Sequence, residues 1–370
     1  MIAQHQVTVF PTAPDKARLL FSFVFLIVAL GLGNACTQQA DGEVSPNPSV
    51  VAAGQVSAVV ERHDDDADES AITEPVGSLP DVDESLAFQV ASGVTVIPDS
   101  RIAFVPNIGI IEGSESVLIV DTGLGAANGE RALMLARKIA GGRKLYLTTT
   151  HFHPEHNFGA SAFEGSATLV LNEAQAIELR EKGPDYIELF KTFSSQVDER
   201  LEGTILVEPD LTYSGMMTLD LGGREVILRE IPAHTRGDQL VYVPDQHLIF
   251  TGDIAETRFF PIMPDADSSA VRWIGVLQQL EALEPKIVVP GHGAVGSKEI
   301  LSALRAHIEF MRDRVQALVA TGYDQQAITD LLVPAITAVY PNWDNREFVP
   351  FEIAILYAEA TGNSPQLPGF

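Results

Sequence analysis

The chain has 370 residues, of which 46% are hydrophobic, and this is enough to build a sizeable core. Its 24 lysines and arginines stand against 50 aspartates and glutamates, so the formal net charge is −26. Such a negative charge argues against a sequence-independent grip on nucleic acid phosphates, and we expect no nucleic acid partner.

The N-terminal segment is typical of a targeting signal. The apolar run 19-LLFSFVFLIVALGLG-33 follows two basic residues and is shorter than the roughly twenty residues of a membrane span. It ends in 33-GNAC-36, which resembles a bacterial lipoprotein box. We therefore predict that residues 1–36 are a signal peptide of lipoprotein type. The protein would be exported to the periplasm, or anchored in the outer membrane through lipidated Cys36. Plain cleavage near Ala35, or a buried N-terminal helix, is the alternative.

An acidic segment follows the targeting signal. Between Asp41 and Glu84 there are twelve acidic residues and one basic residue, Arg62. The segment is also rich in Pro, Ser, Gly and Ala, and this composition predicts a disordered linker over residues 37–87. A partner-binding acidic tail is the alternative. Cys36 is the only cysteine, so an intramolecular disulfide is excluded, as is a cysteine nucleophile in the mature body.

The folded body is predicted to begin near Phe88, with strands dominating its first part. Strands are predicted at 94–97, 101–105, 108–111, 117–120, 145–149, 168–171, 204–207, 225–231, 240–243, 247–250 and 286–289. Helices are predicted at 129–140, 173–190 and 269–283, with 298–362 mostly helical. Two rounds of strands followed by helices indicate a layered α/β fold with sheets packed face to face. We divide it into a catalytic domain, 88–315, and a C-terminal helical extension, 316–370.

The stretch 151-HFHPEH-156 concentrates potential metal ligands. His151 and His153 are two residues apart, so in an extended segment both imidazoles point the same way and meet one metal. Pro154 then turns the chain and places Glu155 and His156 on a different side. Two ligand pairs in one loop predict two neighbouring metal positions. A histidine-rich surface loop is the alternative.

Three further candidates lie where apolar strands end. His234 follows strand 225–231, Asp253 follows strand 247–250, and His292 follows strand 286–289. Side chains at such strand ends project into an open crevice rather than into the core. A single histidine at a strand end is more often structural, but the repeated placement favours a shared metal site.

The order of these residues resembles the metallo-β-lactamase superfamily. Its first motif, H-x-H-x-D-H, is matched by 151–156, and its later His, Asp and His by His234, Asp253 and His292. The segment 107-NIGIIEGSESVLIVDTGLG-125 resembles the opening strands and Asp-Thr-Gly turn of the family. The resemblance spans roughly Phe88 to Arg314. It implies a four-layer αββα sandwich with the metal site at one edge of the two sheets.

The resemblance also implies a ligand set. The first zinc would be bound by His151, His153 and His234, the second by Glu155, His156 and His292, and both by a bridging Asp253. Two Zn²⁺ suit these ligands, and iron or manganese fit the same ligand types. Asp121 would orient the first motif, with a turn or helix-capping role as the alternative.

The implied function is that of a binuclear zinc hydrolase acting on a small molecule. A hydroxide bridging the two metals would attack the carbonyl of an ester, lactone, thioester or β-lactam, with Glu155 and Asp253 as catalytic carboxylates that orient it. The exported β-lactamase-like branch is one similarity. Another is the periplasmic hydrolases found beside quinoprotein dehydrogenases, which 272-RWIGVLQQLEALEPKIVVPGHG-293 resembles.

Alternative functions remain open at the level of sequence. They are a genuine class B-like β-lactamase and a metal-binding relay or binding protein of a periplasmic dehydrogenase system with little hydrolytic activity. A sulfatase or phosphatase ranks lower, because no cluster of Arg or Lys surrounds the motifs. Arg258 and Arg236 are candidates for binding a substrate carboxylate, with ordinary ion pairing as the alternative.

One departure from the family motif carries a specific expectation. Glu155 stands where the motif has aspartate, and its longer arm approaches a metal from a different angle. We predict that Glu155 still binds the second metal, less tightly than an aspartate would.

Overall fold

The computed structural model describes residues 79–368, and its framework is a pair of β-sheets. The first sheet holds seven strands in chain order: β1 (Phe88–Ala91), β2 (Val94–Ile97), β3 (Ile108–Glu112), β4 (Ser116–Val120), β5 (Lys144–Thr148), β6 (Ala167–Asn172) and β7 (Leu211–Tyr213). Strands β1 to β4 pair antiparallel, and β4 to β7 pair parallel. The change of direction at β4 leaves the ends of β4, β5 and β6 together at one edge.

The second sheet holds five strands in the order β12-β11-β10-β9-β8. They are β8 (Met216–Asp220), β9 (Glu225–Glu230), β10 (Gln239–Val243), β11 (Leu248–Gly252) and β12 (Ile287–Pro290). Strands β8 to β11 pair antiparallel, whereas β11 and β12 are parallel. Strands β9, β11 and β12 therefore end at the same edge of this sheet.

The described residues also form eight α-helices. They are α1 (Gly125–Ala140), α2 (Pro154–Asn157), α3 (Glu173–Lys191), α4 (Ser195–Leu201), α5 (Ala270–Glu281), α6 (Glu299–Ala320), α7 (Gln325–Val339) and α8 (Val349–Thr361). Local chemistry fixes several ends: Asn172 accepts from the N–H of Gln175 to start α3, and Gly141 ends α1 in the left-handed conformation (φ 57°). No helix in this part of the chain combines the length and apolar character needed to cross a membrane.

Three hydrophobic clusters show that the elements form four layers. One cluster joins facing residues of both sheets, such as Leu118 of β4 and Val241 of β10. A second lies between the first sheet and α1 and α3, and a third between the second sheet and α5, α6, α7 and α8. The sheets approach closely: a Cβ on Gly109 of β3 would lie 2.4 Å from the Phe250 ring. The predicted αββα sandwich with C-terminal helices is confirmed.

Two predicted strands are wrong. Residues 101–105 form turns, with Arg101 and Phe104 in the left-handed region (φ 53° and 60°). Residues 204–207 are irregular, and Ile205 is exposed rather than paired in a sheet. Apolar composition alone suggests both strands, but neither segment has a neighbouring strand to pair with.

The structure differs from the predicted domain bounds at two places, the start of the folded region and the boundary between the two predicted units. The last residues of the predicted linker 37–87 pack on the body, since Val82 is buried and its N–H donates to Asn128 Oδ1 at 2.9 Å. Helix α6 runs through the predicted domain boundary at residue 315 without a break. The predicted signal peptide, Cys36 and most of the acidic linker lie outside the described residues.

Candidate metal centre

The seven predicted ligands converge where strands of both sheets end. His151 follows β5, His234 follows β9, Asp253 follows β11 and His292 follows β12. Glu155 and His156 lie on the single-turn helix α2. All seven side chains are buried: His151, His153, Glu155, His156, His234, Asp253 and His292. The topology, rather than the spacing along the chain, therefore assembles the site.

The ligand atoms fall into two groups, in each of which every atom lies within 4.8 Å of the others. One group contains His151, His153, His234 and Asp253, and the other contains Glu155, His156, Asp253 and His292. These are the two sets that the resemblance implied, with Asp253 in both. Such donors, imidazole nitrogen and carboxylate oxygen, are positioned to bind a divalent metal.

Asp253 is the centre of the arrangement. Its Oδ2 lies 3.6 Å from Nε2 of His151, and its Oδ1 lies 3.2 Å from Nε2 of His156 and 3.8 Å from Nε2 of His292. The carboxylate has this room because residue 291 is glycine: a Cβ there would lie 2.0 Å from Asp253 Oδ1. A side chain at position 291 would therefore displace the shared carboxylate.

The turn after His153 divides the ligands of the first motif. Pro154 occupies the first position of α2, where its missing N–H costs nothing. The N–H of His156 donates to the carbonyl of His153 at 3.1 Å, which closes the turn. Glu155 and His156 are thereby directed to the second group, while His151 and His153 remain in the first.

The hydrogen bonding of these side chains fits a bound metal. Buried ligand atoms without a hydrogen-bond partner are concentrated here: His151 Nε2, His153 Nε2, His156 Nε2, His234 Nε2, Glu155 Oε2 and both Asp253 oxygens. Buried polar atoms in proteins are almost always paired, because an unpaired one loses its hydration without compensation. A metal would satisfy these atoms together, so the residues present fit the group.

Burial also sets the ionisation of the ligands. It lowers the pKa of His151 and His153 well below the usual range, and neighbouring imidazoles add to the effect. Burial opposes ionisation of Asp253 as well, yet His156, His292 and His151 hold the pKa of Asp253 well below its usual range. Burial also opposes protonation of His156 and His234, but Asp253 and Asp121 raise the pKa of His156 well above its usual range and Asp238 raises that of His234. Metals bind neutral imidazoles and ionised carboxylates, so metal binding would displace protons from these two histidines.

Asp121 contacts the first motif directly. Its Oδ2 lies 3.0 Å from Nδ1 of His156, and its Oδ1 accepts from the N–H of Thr150 at 2.6 Å. It does not cap α1, whose N-cap is Leu124. The carboxylate therefore fixes the orientation of His156 and of the strand end before His151, as expected of a group that supports metal ligands.

Replacing Asp121 by Asn should weaken zinc binding by about 10- to 100-fold, the range found when a group that orients a metal ligand is changed. Asn tolerates the left-handed backbone that Asp121 adopts (φ 68°), so the fold should persist. The zinc dissociation constants of both proteins, measured against a competing chelator, test this. An unchanged zinc affinity would mean that Asp121 stabilises only the turn and does not orient a metal ligand.

Glu155 is placed as the sequence predicts, in the second group with its Oε2 free of other partners. Glu155→Asp should raise the affinity of the second site about tenfold, because the shorter arm restores the spacing of the family motif. Calorimetric titration of the metal-free protein with zinc would resolve the second equivalent. Unchanged or weaker binding at that site would contradict the assignment of Glu155.

The two candidate arginines differ in their surroundings. Arg236 forms ion pairs with Glu181 at 2.7 Å and Asp267 at 2.9 Å and approaches Glu178 at 3.4 Å, so its charge is already matched. The side chain of Arg258 is half-buried and makes no ion pair with a described residue. The charge of Arg258 is therefore less neutralised than that of Arg236.

One contributor to the site has no signal in the sequence. The ring of Tyr186, on α3, stacks on His153 with centroids 5.1 Å apart, and its hydroxyl donates to Asp265 Oδ1 at 2.9 Å. Asp265 also accepts from Lys182 Nζ at 2.9 Å. A helical tyrosine looks like an ordinary core residue in sequence, and only the tertiary structure shows that it supports a ligand.

Comparison with known proteins shows the family of the chain. The family model for the metallo-beta-lactamase superfamily matches residues 101–292, more than half of the chain. Among curated relatives, a linear primary-alkylsulfatase of Pseudomonas sp. is 23% identical over 55% of this chain and 46% of its own length. Human acyl-coenzyme A thioesterase MBLAC2 is 27% identical over 40% of this chain and 57% of its own. The chain thus spans about half the length of these relatives.

Solved structures share the fold. A metallo-beta-lactamase family protein from Thermus thermophilus superposes with a TM-score of 0.56 at 19% identity, covering 74% of this chain and 95% of that one. The inverting sec-alkylsulfatase Pisa1 from Pseudomonas sp. gives a TM-score of 0.58 at 16% identity, covering 75% and 50%. With the family match, the four layers and the two ligand groups, the chain belongs to the metallo-β-lactamase superfamily.

Proposed function

We propose that the protein is an exported hydrolase that uses two zinc ions to cleave an ester, thioester or lactone. The observation that carries this proposal is the pair of buried ligand groups that share Asp253. His151, His153 and His234 would hold one ion. Glu155, His156 and His292 would hold the other.

The zinc ions would supply Lewis acidity and a lowered pKa for the attacking water. The protein contributes the preorganised metal ligands and the carboxylates that orient the attacking water. Glu155 and Asp253 are buried within the ligand groups, where their carboxylates would orient the attacking water. Burial raises the pKa of Glu155 above its usual range, and a bound cation would favour the ionised form of this carboxyl.

The substrate class rests on the relatives and on the charges around the site. One relative is an acyl-coenzyme A thioesterase, and a thioester carbonyl is a target of the chemistry proposed here. A sulfate ester is the second candidate, favoured by the alkylsulfatase relative. Arg258, which is not neutralised by a described carboxylate, is proposed to contact the anionic part of either substrate.

A panel of substrates tests the function. Purified protein would be assayed on an acyl thioester, an aromatic ester, a lactone, a primary alkyl sulfate and a chromogenic cephalosporin, each with and without a chelator. We expect turnover of the carbonyl compounds that chelator abolishes and added zinc restores. Preferred turnover of the alkyl sulfate would support the second candidate, and preferred turnover of cephalosporin a β-lactamase. Activity insensitive to chelator would contradict the metal mechanism.

Export is proposed from the sequence of the first 36 residues. Cys36 would carry the lipid, and Cys36→Ser should then move the protein from the membrane fraction to the soluble fraction of an expressing bacterium. Equal distribution of both proteins between these fractions would argue against lipidation.

A further inference from the structure

Glu256 has no role in the site as described so far. It lies three residues after Asp253, in the loop that follows β11, and is 3% exposed. Neither of its carboxyl oxygens has a hydrogen-bond partner among the described residues. A buried carboxyl group without a hydrogen-bond partner loses its hydration without compensation. We therefore expect a further group in the functional protein to interact with Glu256.

The missing partner can be inferred from the other atoms in the same condition. In the described part of the chain, only Asp253 and Glu256 have both carboxyl oxygens buried and unpaired. Asp253 belongs to both ligand groups. Glu352 differs: one of its oxygens lies 3.1 Å from His307 Nε2 among the C-terminal helices. The hydrogen bonding of Glu256 therefore resembles that of a metal-centre carboxylate rather than that of a structural one.

The surroundings of Glu256 lie on the side of the second ligand group. Burial raises the pKa of Glu256 well above its usual range, and Asp253 and Glu155 add to this effect while His156 opposes it. The next residue, Thr257, donates its N–H to the carbonyl of His292 at 3.0 Å. The loop that carries Glu256 is thus fastened to the loop that carries a ligand of the second site.

Three carboxyl groups, of Glu155, Asp253 and Glu256, belong to the second site and its adjoining loop, and none of them forms an ion pair with a described Lys or Arg. Asp253 lies within 4 Å of the imidazoles of His151, His156 and His292 instead. Glu256 belongs to neither group whose ligand atoms all lie within 4.8 Å of one another. Glu256 is therefore not one of the metal ligands, although it lies in the same loop as Asp253.

We infer that Glu256 is a positioning residue of the second metal site, where its carboxylate balances the charge of the bound cation from beside the ligands. The inference rests on the proposed binuclear site. Carboxylates close to a metal tune its affinity although they do not bind it directly. The three carboxylates explain how the second site, with two histidines against three in the first, holds a divalent cation.

Zinc titration of the full chain tests this inference. Metal-free wild type and Glu256→Gln would be titrated with Zn²⁺ against a competing chelator, with the melting temperature of each metal-free protein as a check on folding. We expect the second equivalent to bind about 10- to 100-fold more weakly in the variant, with the first within about twofold. Glu256→Met, which keeps a similar volume, replaces this variant if the amide does not fold.

Glu352→Gln is the matched control, since it alters an equally buried carboxyl away from the ligand groups. It should leave both zinc affinities within about twofold of wild type. Glu256 has no such role if its variants bind the second zinc as wild type does, or lose affinity equally at both sites. In those cases the proposed hydrolase stands. Absence of zinc binding by wild type would overturn both proposals.

Discussion

Asp253→Ala is expected to reduce kcat/KM on the best substrate by about 10³-fold or more, equivalent to about 4 kcal/mol of transition-state stabilisation. The carboxylate lies between the two ligand groups, with oxygens 3.2 Å from His156 and 3.6 Å from His151. Its removal leaves each group one ligand short and brings the imidazoles together without an anion between them. Both sites should therefore bind zinc more weakly. A substitution of a residue that belongs to one ligand group should weaken binding at that site alone.

Steady-state kinetics and bound zinc, measured on the same preparation, test the expectation. Asp245→Ala is the control: this aspartate forms a surface ion pair with Arg224 at 3.0 Å and should change kcat/KM less than about twofold. Activity of Asp253→Ala within about tenfold of wild type would contradict a shared catalytic carboxylate. A hydrolase should lose turnover in the Asp253→Ala variant. A metal-independent binding protein should keep its ligand affinity in the same variant.

Phe260→Ala is expected to lower the free energy of unfolding by about 3–5 kcal/mol. The ring is fully buried, with its centroid 5.4 Å from that of Trp343 and 5.6 Å from that of His307. The N–H of Phe260 also donates to the carbonyl of Asp344 at 3.1 Å. This residue thus joins the loop after Asp253 to the C-terminal helices, and the truncation would leave a cavity between them.

For a protein of this size, the loss corresponds to a melting temperature lower by about 10 °C. Thermal unfolding monitored by circular dichroism would measure it in the metal-free protein, so that metal affinity does not contribute. Phe88→Ala is the matched control, because that ring is 42% exposed and its loss should cost less than about 0.5 kcal/mol. Equal melting temperatures of the two variants would mean that the C-terminal helices do not brace the loop.

The ligand set could be predicted because its chemistry is visible along the chain. His234, Asp253 and His292 each follow an apolar strand, and strands that end at one edge bring such residues together. The first motif adds four more ligands within six residues. Both the spacing of the motif and the order of the strands can be read from a single sequence.

The supporting groups could not be predicted, because their role depends on packing between distant segments. Nothing near Tyr186 in the sequence indicates that its ring stacks on His153. Glu256 looks like a loop residue until its burial is known. Position 105 shows the same limit: the sequence predicts Val105 in a strand, but its carbonyl lies 3.1 Å from Nδ1 of His292 and orients that ligand instead.

The most direct test of the binuclear site is an anomalous-scattering map from crystals of the zinc-loaded protein, recorded on both sides of the zinc absorption edge. We expect two peaks a few ångströms apart, on either side of Asp253. One should lie among His151, His153 and His234, and the other among Glu155, His156 and His292. A single peak, or none at full zinc saturation, would contradict the binuclear site.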